Sequence, residues 1–201
     1  MPSRNKSQFS ALLSNAGIDT ETSEAVMEID GILQNWRRRA VKRELGTRAL
    51  ADLGIALELA QFDVLSVIGA HVTEHEQGEV MVSTVAERLG IDPSRASRLV
   101  SEMVDKGYAR RAVSQADARR TIIELTDRGT AVVDAVRAYK FMVMGDFLGT
   151  WDKSELAAFL PMIRRFGQWM DGIGASTEKH AAEIEALSRN LAESAKSRET
   201  A

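Results

Sequence analysis

The chain of 201 residues contains no cysteine, which excludes disulfides, thiolate metal sites and cysteine redox sensing within it. Prolines number only three and aromatic residues make up 5%. Against many Ala, Leu, Glu and Arg, this scarcity favours a mostly helical protein. No window approaches the roughly 20 apolar residues that a membrane span needs, and the opening MPSRNKSQFSALLSNAG lacks the apolar run of a secretion signal. A cytoplasmic protein with no membrane partner is expected. Phosphate loop, nucleophile elbow and recurring metal motif are all missing, and three histidines are too few to anchor general-base chemistry. Neither an enzyme nor a cofactor is therefore expected. What remains is 44% hydrophobic, enough for a real core in one compact unit.

The net charge is −3, which by itself argues against a nucleic-acid partner. Its distribution reverses that argument. Between Ser94 and Arg120 stand seven basic residues (Arg95, Arg98, Lys106, Arg110, Arg111, Arg119, Arg120) and three acidic ones (Glu102, Asp105, Asp117), so this segment carries +4 and the remainder −7. A cationic face on an acidic body attracts phosphate at one side and repels it elsewhere, which would orient the protein on a duplex.

Residues 1–22 show no sustained periodicity and read as a flexible leader. From near Ser23, the residues Val26, Ile29, Leu33, Trp36 and Ala40 repeat at helical spacing in a narrow seam, suited to packing against another long helix in this chain or in a partner subunit. The basic run Arg37, Arg38, Arg39, Lys42 and Arg43 overlaps that helix and reads as a solvated face. Gly46 and Gly54 bracket a broken stretch. Ala60 to Glu74 then reads as a helix with Phe62, Leu65, Ile68 and Val72 inward.

The segment 83–129 carries the motif. Ser83-Thr84-Val85-Ala86-Glu87 resembles a capping box at a helix start, and Gly90 ends that helix. Asp92-Pro93-Ser94 opens a second helix with a capping residue and a first-turn proline. Two helices separated by a short turn containing glycine form a helix-turn-helix signature. In the second helix Ala96, Leu99, Val100 and Met103 make the buried stripe, leaving Arg95, Ser97, Arg98, Ser101 and Glu102 on other faces. Such a helix inserts its N-terminal residues into the major groove, where arginine can donate two hydrogen bonds to guanine. Lys106-Gly107 closes it. Two strands follow, Tyr108 to Val113 and Thr121 to Leu125, joined by a basic turn whose tip could enter the minor groove. There Asp117 is expected to hold Arg119 by a charged hydrogen bond.

With these residues together, the chain resembles the MarR family of bacterial winged helix-turn-helix transcriptional regulators. The resemblance rests on AQFDVLSVIG before the motif, STVAERLGIDPSRASRLVSEMVDKGYARR in it, and DARRTIIELTDRG in the wing. The family's Asp-x-Arg wing pair maps to Asp117 and Arg119, and its Leu-Thr-x-x-Gly exit to Leu125, Thr126 and Gly129. The resemblance implies a mostly α fold with a small β-wing: a winged helix-turn-helix plus N- and C-terminal dimerisation helices. Residues 23–58 would be the N-terminal dimerisation helix and its connection, 59–125 the DNA-binding region, and 126–174 the C-terminal dimerisation helices. One of the latter opens at Asp152 with Glu155 as its capping partner and carries Pro161, where a kink is expected. Residues 175–201 form a tail, helical in part at most, with a thin stripe of Ile184, Leu187 and Leu191.

The implied function is a homodimeric repressor that binds a pseudo-palindromic operator and answers to a small organic effector. Its expected DNA-contacting residues are Thr84, Ser94, Arg95, Ser97, Arg98 and Ser101 in the helix-turn-helix, with Asp117, Arg119 and Arg120 in the wing. Effector-pocket residues are not indicated. Two alternatives differ in class. In one, the winged helix binds proteins, or DNA without sequence preference. In the other, His71 and His75, four apart with Glu74 and Glu76 nearby, make the regulator metal-responsive. Solvent-exposed histidines at a helix end are the default against the latter.

Overall fold

The computed structural model describes residues 3–70 and 79–199, in the order of ten helices and one hairpin. The helices are α1 Ser3–Asn15, α2 Thr20–Lys42, α3 Glu44–Asp52, α4 Leu59–Gly69, α5 Val82–Leu89 and α6 Pro93–Asp105. Strands β1 Ala109–Val113 and β2 Thr121–Leu125 follow, then α7 Asp127–Leu148, α8 Lys153–Gly167, a 3₁₀ turn Gln168–Gly172, α9 Ile173–Lys179 and α10 Ala181–Glu199. The chain divides into one unit of residues 42–150 and another of 1–41 with 151–201. The fold is mostly helical with a small antiparallel wing.

The first unit holds the core. Phe62, Val64, Leu65 and Ile68 from α4, Val85 and Ala86 from α5, and Ala96, Leu99, Val100 and Met103 from α6 are all buried together, with Ile123 of the wing and Val133 and Val136 of α7. Burial of each large side chain contributes about 1.5–3 kcal/mol. The apolar stripe of α6 is the one its spacing predicts, and it leaves the opposite face to solvent. The wing pairs Ala109 with Leu125 through Val113 with Thr121. A further backbone bond, from Ile123 N–H to the Val80 carbonyl at 2.7 Å, fastens β2 to the segment before α5.

Several expectations need correction. Residues 3–15 are a helix, not an irregular leader, with Leu12 and Leu13 half-buried. Gly17 ends it at φ 77, and the Ile18 N–H reaches back to the Leu13 carbonyl at 2.9 Å, the bond of a Schellman cap. The next helix starts at Thr20, ahead of Ser23, because Asp19 caps it: its carboxylate accepts the Thr22 N–H at 2.8 Å and the Thr22 hydroxyl at 2.7 Å. Gly46 lies inside α3, not in a break. The interruption falls at Arg43, whose φ of 54 is left-handed, and Gly46 fits where a Cβ would come within 3.1 Å of Leu59. Gly54, at φ 63, does end α3.

α4 ends at Gly69, and the expected continuation to Glu74, with Val72, His71 and His75, lies outside the described residues. The cap of α5 is displaced by two residues: Met81 is the N-cap and its N–H donates to Thr84 Oγ1 at 3.3 Å. In the second unit α8 opens as expected, the Asp152 N–H donating to Glu155 at 2.8 Å, and it continues through Pro161. The tail from Ile173 to Glu199 is helical throughout apart from a break at His180.

Candidate nucleic-acid interface

The reading helix α6 is built to present its first turn. The Asp92 carboxylate accepts the Arg95 N–H at 2.8 Å and a hydrogen bond from the Ser94 hydroxyl, with Pro93 at the first helical position. The Ser94 hydroxyl, and then the Arg95 N–H, hold the Asp92 carboxyl below its ordinary range. Arg95, Ser97 and Arg98 are exposed on the face opposite the buried stripe. Arg95 has no ion-pair partner among the described residues. Arg98, whose side chain is 71% exposed, stands 3.9 Å from Glu102. Such a loose surface pair is worth well under about 1 kcal/mol, so it leaves Arg98 available to a phosphate or base.

Other expected contacts are spoken for within the fold. Ser94 donates to Asp92, Ser101 accepts from Arg111 Nη2 at 3.2 Å, and Thr84 is half-buried at the start of α5. The seven cations are likewise unequal. Successive β1 residues point to opposite faces. Arg110 therefore crosses to its register partner Glu124 at 2.8 Å, while Arg111 reaches back to α6. Lys106 donates to Gln61 at 3.0 Å.

The wing corrects the expected Asp117–Arg119 pair. Asp117 accepts the backbone N–H of Arg119 at 3.0 Å, while its ion pair, at 3.4 Å, is with Arg120. An Asx turn fixes the backbone two residues on, so the Arg119 guanidinium is left exposed at the tip, with no ion-pair partner among the described residues. Three residues that sequence reasoning missed shape this surface. Glu79 pins the base of the turn by accepting the Gln115 N–H at 2.8 Å, and the Ser114 hydroxyl foremost holds its carboxyl below the usual range. Arg111 ties wing to reading helix, a role that strand alternation could have shown. Gln61, nearly buried, donates to Glu102 at 2.8 Å and accepts from Lys106; nothing in its local sequence signals this.

α7 locks against the C-terminal end of α6. Its N-cap Thr126 donates its hydroxyl to the Gly107 carbonyl at 2.8 Å and accepts the Gly129 N–H at 3.1 Å. Arg128 lies 4.2 Å over the Tyr108 ring and donates to the Tyr108 hydroxyl and the Lys106 carbonyl, each at 3.0 Å. Reading helix, wing and α7 are thereby joined around residues 106–108. Among the described residues no cluster of His, Asp or Glu could hold a metal ion, and no helix is long and apolar enough to cross a membrane.

The family model described as "MarR family" matches residues 57–120, the span from α4 into the wing. An uncharacterised HTH-type transcriptional regulator of Mycobacterium bovis is 25% identical over 91 residues, which cover 45% of this chain and 64% of the relative. A MarR family protein from Bacillus stearothermophilus superposes with a TM-score of 0.60 at 20% identity, over 74% of this chain and 96% of that one. S. aureus MepR bound to ethidium bromide superposes with a TM-score of 0.51 at 19% identity, over 68% and 95%. These likenesses in structure establish the fold. Residues 57–120 thus match the MarR family model, within a fold that the chain shares with these structures.

Proposed function

We propose that this protein is a homodimeric, sequence-specific DNA-binding transcriptional regulator, a cytoplasmic repressor whose affinity for a pseudo-palindromic operator answers to a small organic effector. The observation that carries the reading is the two-sided reading helix. Ala96, Leu99, Val100 and Met103 are buried, and Arg95, Ser97 and Arg98 project on the free side, with the Arg119 tip supplied by the same unit. Arg95 and Arg98 would contact base edges or phosphates in the major groove, Arg119 the minor groove, and Arg120 phosphate. The role is binding, and no catalytic step is assigned to any residue.

Dimerisation is supported by apolar faces that the single chain leaves uncovered. α7 exposes Phe141, Met142, Val143 and Met144; α2 exposes Val26, Ile29, Ile32 and Trp36; α8 exposes Leu160, Met162, Ile163 and Phe166. A soluble monomer rarely exposes large contiguous apolar patches. A two-fold pair would set two reading helices in successive major grooves, about 34 Å apart. The effector is supported by the family resemblance and by ethidium on the structurally similar S. aureus protein. Selection of genomic fragments with the purified protein, followed by competition gel shifts, tests the reading. Preference for the selected sites of about a thousandfold over random DNA is expected, and a preference of a few-fold at physiological salt would overturn it.

A further inference from the structure

The wing tip is held from outside the wing. Ser114, the residue after β1, is only 4% exposed, and its hydroxyl oxygen accepts two N–H groups of the turn, from Ala116 at 3.1 Å and Asp117 at 3.0 Å. That leaves the hydroxyl's single proton to donate, and it goes to the Glu79 carboxylate. The same carboxylate accepts the Gln115 N–H at 2.8 Å. One residue on, the Val80 carbonyl takes the Ile123 N–H of β2 at 2.7 Å, and Met81 then caps α5. The segment that enters the helix-turn-helix therefore grips the hairpin twice, at its turn and at its second strand. From the other side Arg111 of β1 donates to Ser101 of α6 at 3.2 Å. Arg119 stands exposed in the turn so held, its backbone N–H on Asp117 at 3.0 Å.

We propose that Glu79 and Ser114 are positioning residues that act through Arg119: they fix the turn 114–120 against the helix-turn-helix before DNA arrives, and so set the offset between the wing's minor-groove contact and the major-groove contacts of α6. The proposal rests on the DNA-binding reading above and deepens it by assigning the source of the wing's share of affinity and base preference. A turn that must be ordered on binding gives up part of its interaction energy, and a preformed one keeps it. Base preference depends on the placement more than affinity does. The enhanced potential of a narrow A·T minor groove is felt by a guanidinium inside that groove, whereas a loose tip still meets phosphate, which carries no sequence information. The charge of Glu79 makes the proposal separable from electrostatics. Removing a negative charge from a DNA-binding face strengthens binding by charge alone, and losing the tie weakens it, so the two roles predict opposite signs.

The test uses the full-length protein and a duplex obtained by the genomic selection above, made with either A·T or G·C pairs where the wing falls. Glu79→Ala should weaken binding to the A·T form by about five- to tenfold and reduce its advantage over the G·C form. In an Arg119→Ala background the same change should alter affinity by less than about twofold, because a residue that acts through Arg119 has nothing left to place. Glu79→Gln keeps an acceptor oxygen for Gln115 and Ser114 and should stay within about twofold of the wild type. Ser114→Ala, should Glu79→Ala fail to fold by circular dichroism, replaces it in the same cycle with the same outcome. Amide hydrogen exchange of the free protein reads the tie without DNA: Glu79→Ala should speed exchange at Gln115, Ala116 and Asp117 by about tenfold and leave Val100 and Val136 unchanged. Tighter or unchanged operator binding by Glu79→Ala would overturn the proposal, as would an equal loss with and without Arg119. If the turn loosens yet affinity holds, positioning is refuted while the operator reading stands. If no DNA is preferred, the operator reading fails, and hydrogen exchange still decides whether Glu79 holds the turn.

Discussion

Replacing Gly129 with alanine should destabilise the winged unit by about 2–4 kcal/mol, and the structure shows why. A Cβ at this position would lie 2.0 Å from the Tyr108 carbonyl oxygen and 3.0 Å from its carbon. Relief requires the carbonyl, or all of the first turn of α7, to retreat by 1 Å or more, since Cβ contacts under 3.0 Å are essentially never seen. That carbonyl also accepts the Thr126 N–H at 3.1 Å, and Thr126 in turn caps α7 and bonds Gly107. Overpacking costs about 1–3 kcal/mol, and losing a backbone bond and a cap about 1 kcal/mol each. Alanine's better helix propensity returns at most about 1 kcal/mol. Gly69→Ala is the comparison, because there the added methyl meets only side-chain ends, Leu125 and Val133 at 3.2 Å. Those can yield, so that variant should stay within about 1 kcal/mol of the wild type. Urea unfolding at fixed protein concentration measures both, since the stability of any self-associating protein depends on concentration. A Gly129→Ala protein as stable as wild type, or a Gly69→Ala protein that loses more, would refute the close-approach argument.

Four further outcomes follow from the same contacts. Arg98→Ala should weaken operator binding by about 1–3 kcal/mol and relax preference at one base position; gel shifts on operator variants read this, and unchanged affinity would remove Arg98 from the interface. Arg119→Ala should reduce the slope of log affinity against log salt by about one, measured by titration at several salt concentrations. Asp92→Ala should lower stability at neutral pH, because it removes the acceptor that caps the first turn of the reading helix. Because the folded state holds the Asp92 carboxyl below its ordinary value, its contribution is complete above the unfolded value of about 3.9 and fades as pH falls through the lowered one; urea unfolding of both proteins from pH 7 into that acid range should show the gap closing. Met144→Glu on the exposed face of α7 should shift the protein from dimer to monomer in sedimentation velocity, and an undisturbed dimer would place the interface elsewhere.

What the sequence made legible was set by periodicity and by local caps. The buried stripe of α6, the Asp92-Pro93 start, the Gly107 exit at φ 74 and the Thr126 cap of α7 all depend on residues within four positions of one another, and each was readable. Helices without a strong pattern were not. α1 carries only a weak stripe and is closed by its glycine, while α2 begins at its Asp19 cap, ahead of the apolar seam by which the helix is recognised. The break at Arg43 had no glycine to announce it, since the left-handed turn is adopted by an arginine bonded to Asp63, 20 residues away. Pairing between cations and distant acids was equally opaque. Arg110 with Glu124 follows from strand register, and register is a property of two segments together. The Asp117 carboxylate took a backbone N–H and Arg120 because the turn's geometry put the Arg119 side chain beyond it.

Glu102 shows how packing outweighs simple electrostatics on the reading helix. An acid two turns into a helix that faces phosphate should be unfavourable, but in water at several ångströms the repulsion between exposed charges is on the order of 1 kcal/mol or less and is screened by salt. Its Oε2 accepts from Gln61 at 2.8 Å, and Gln61 is almost fully buried. Without that acceptor the amide would lose a buried hydrogen bond, a loss of about 1–3 kcal/mol. The same amide's oxygen holds Lys106 at 3.0 Å and the Glu58 N–H at 3.1 Å, so the acid secures both ends of a bridge between α6 and α4. Its other oxygen stands 3.9 Å from Arg98, near enough to bias that side chain and too far to hold it. The helix thus keeps this negative charge because it is fastened by it, while Arg98 is held only loosely by Glu102.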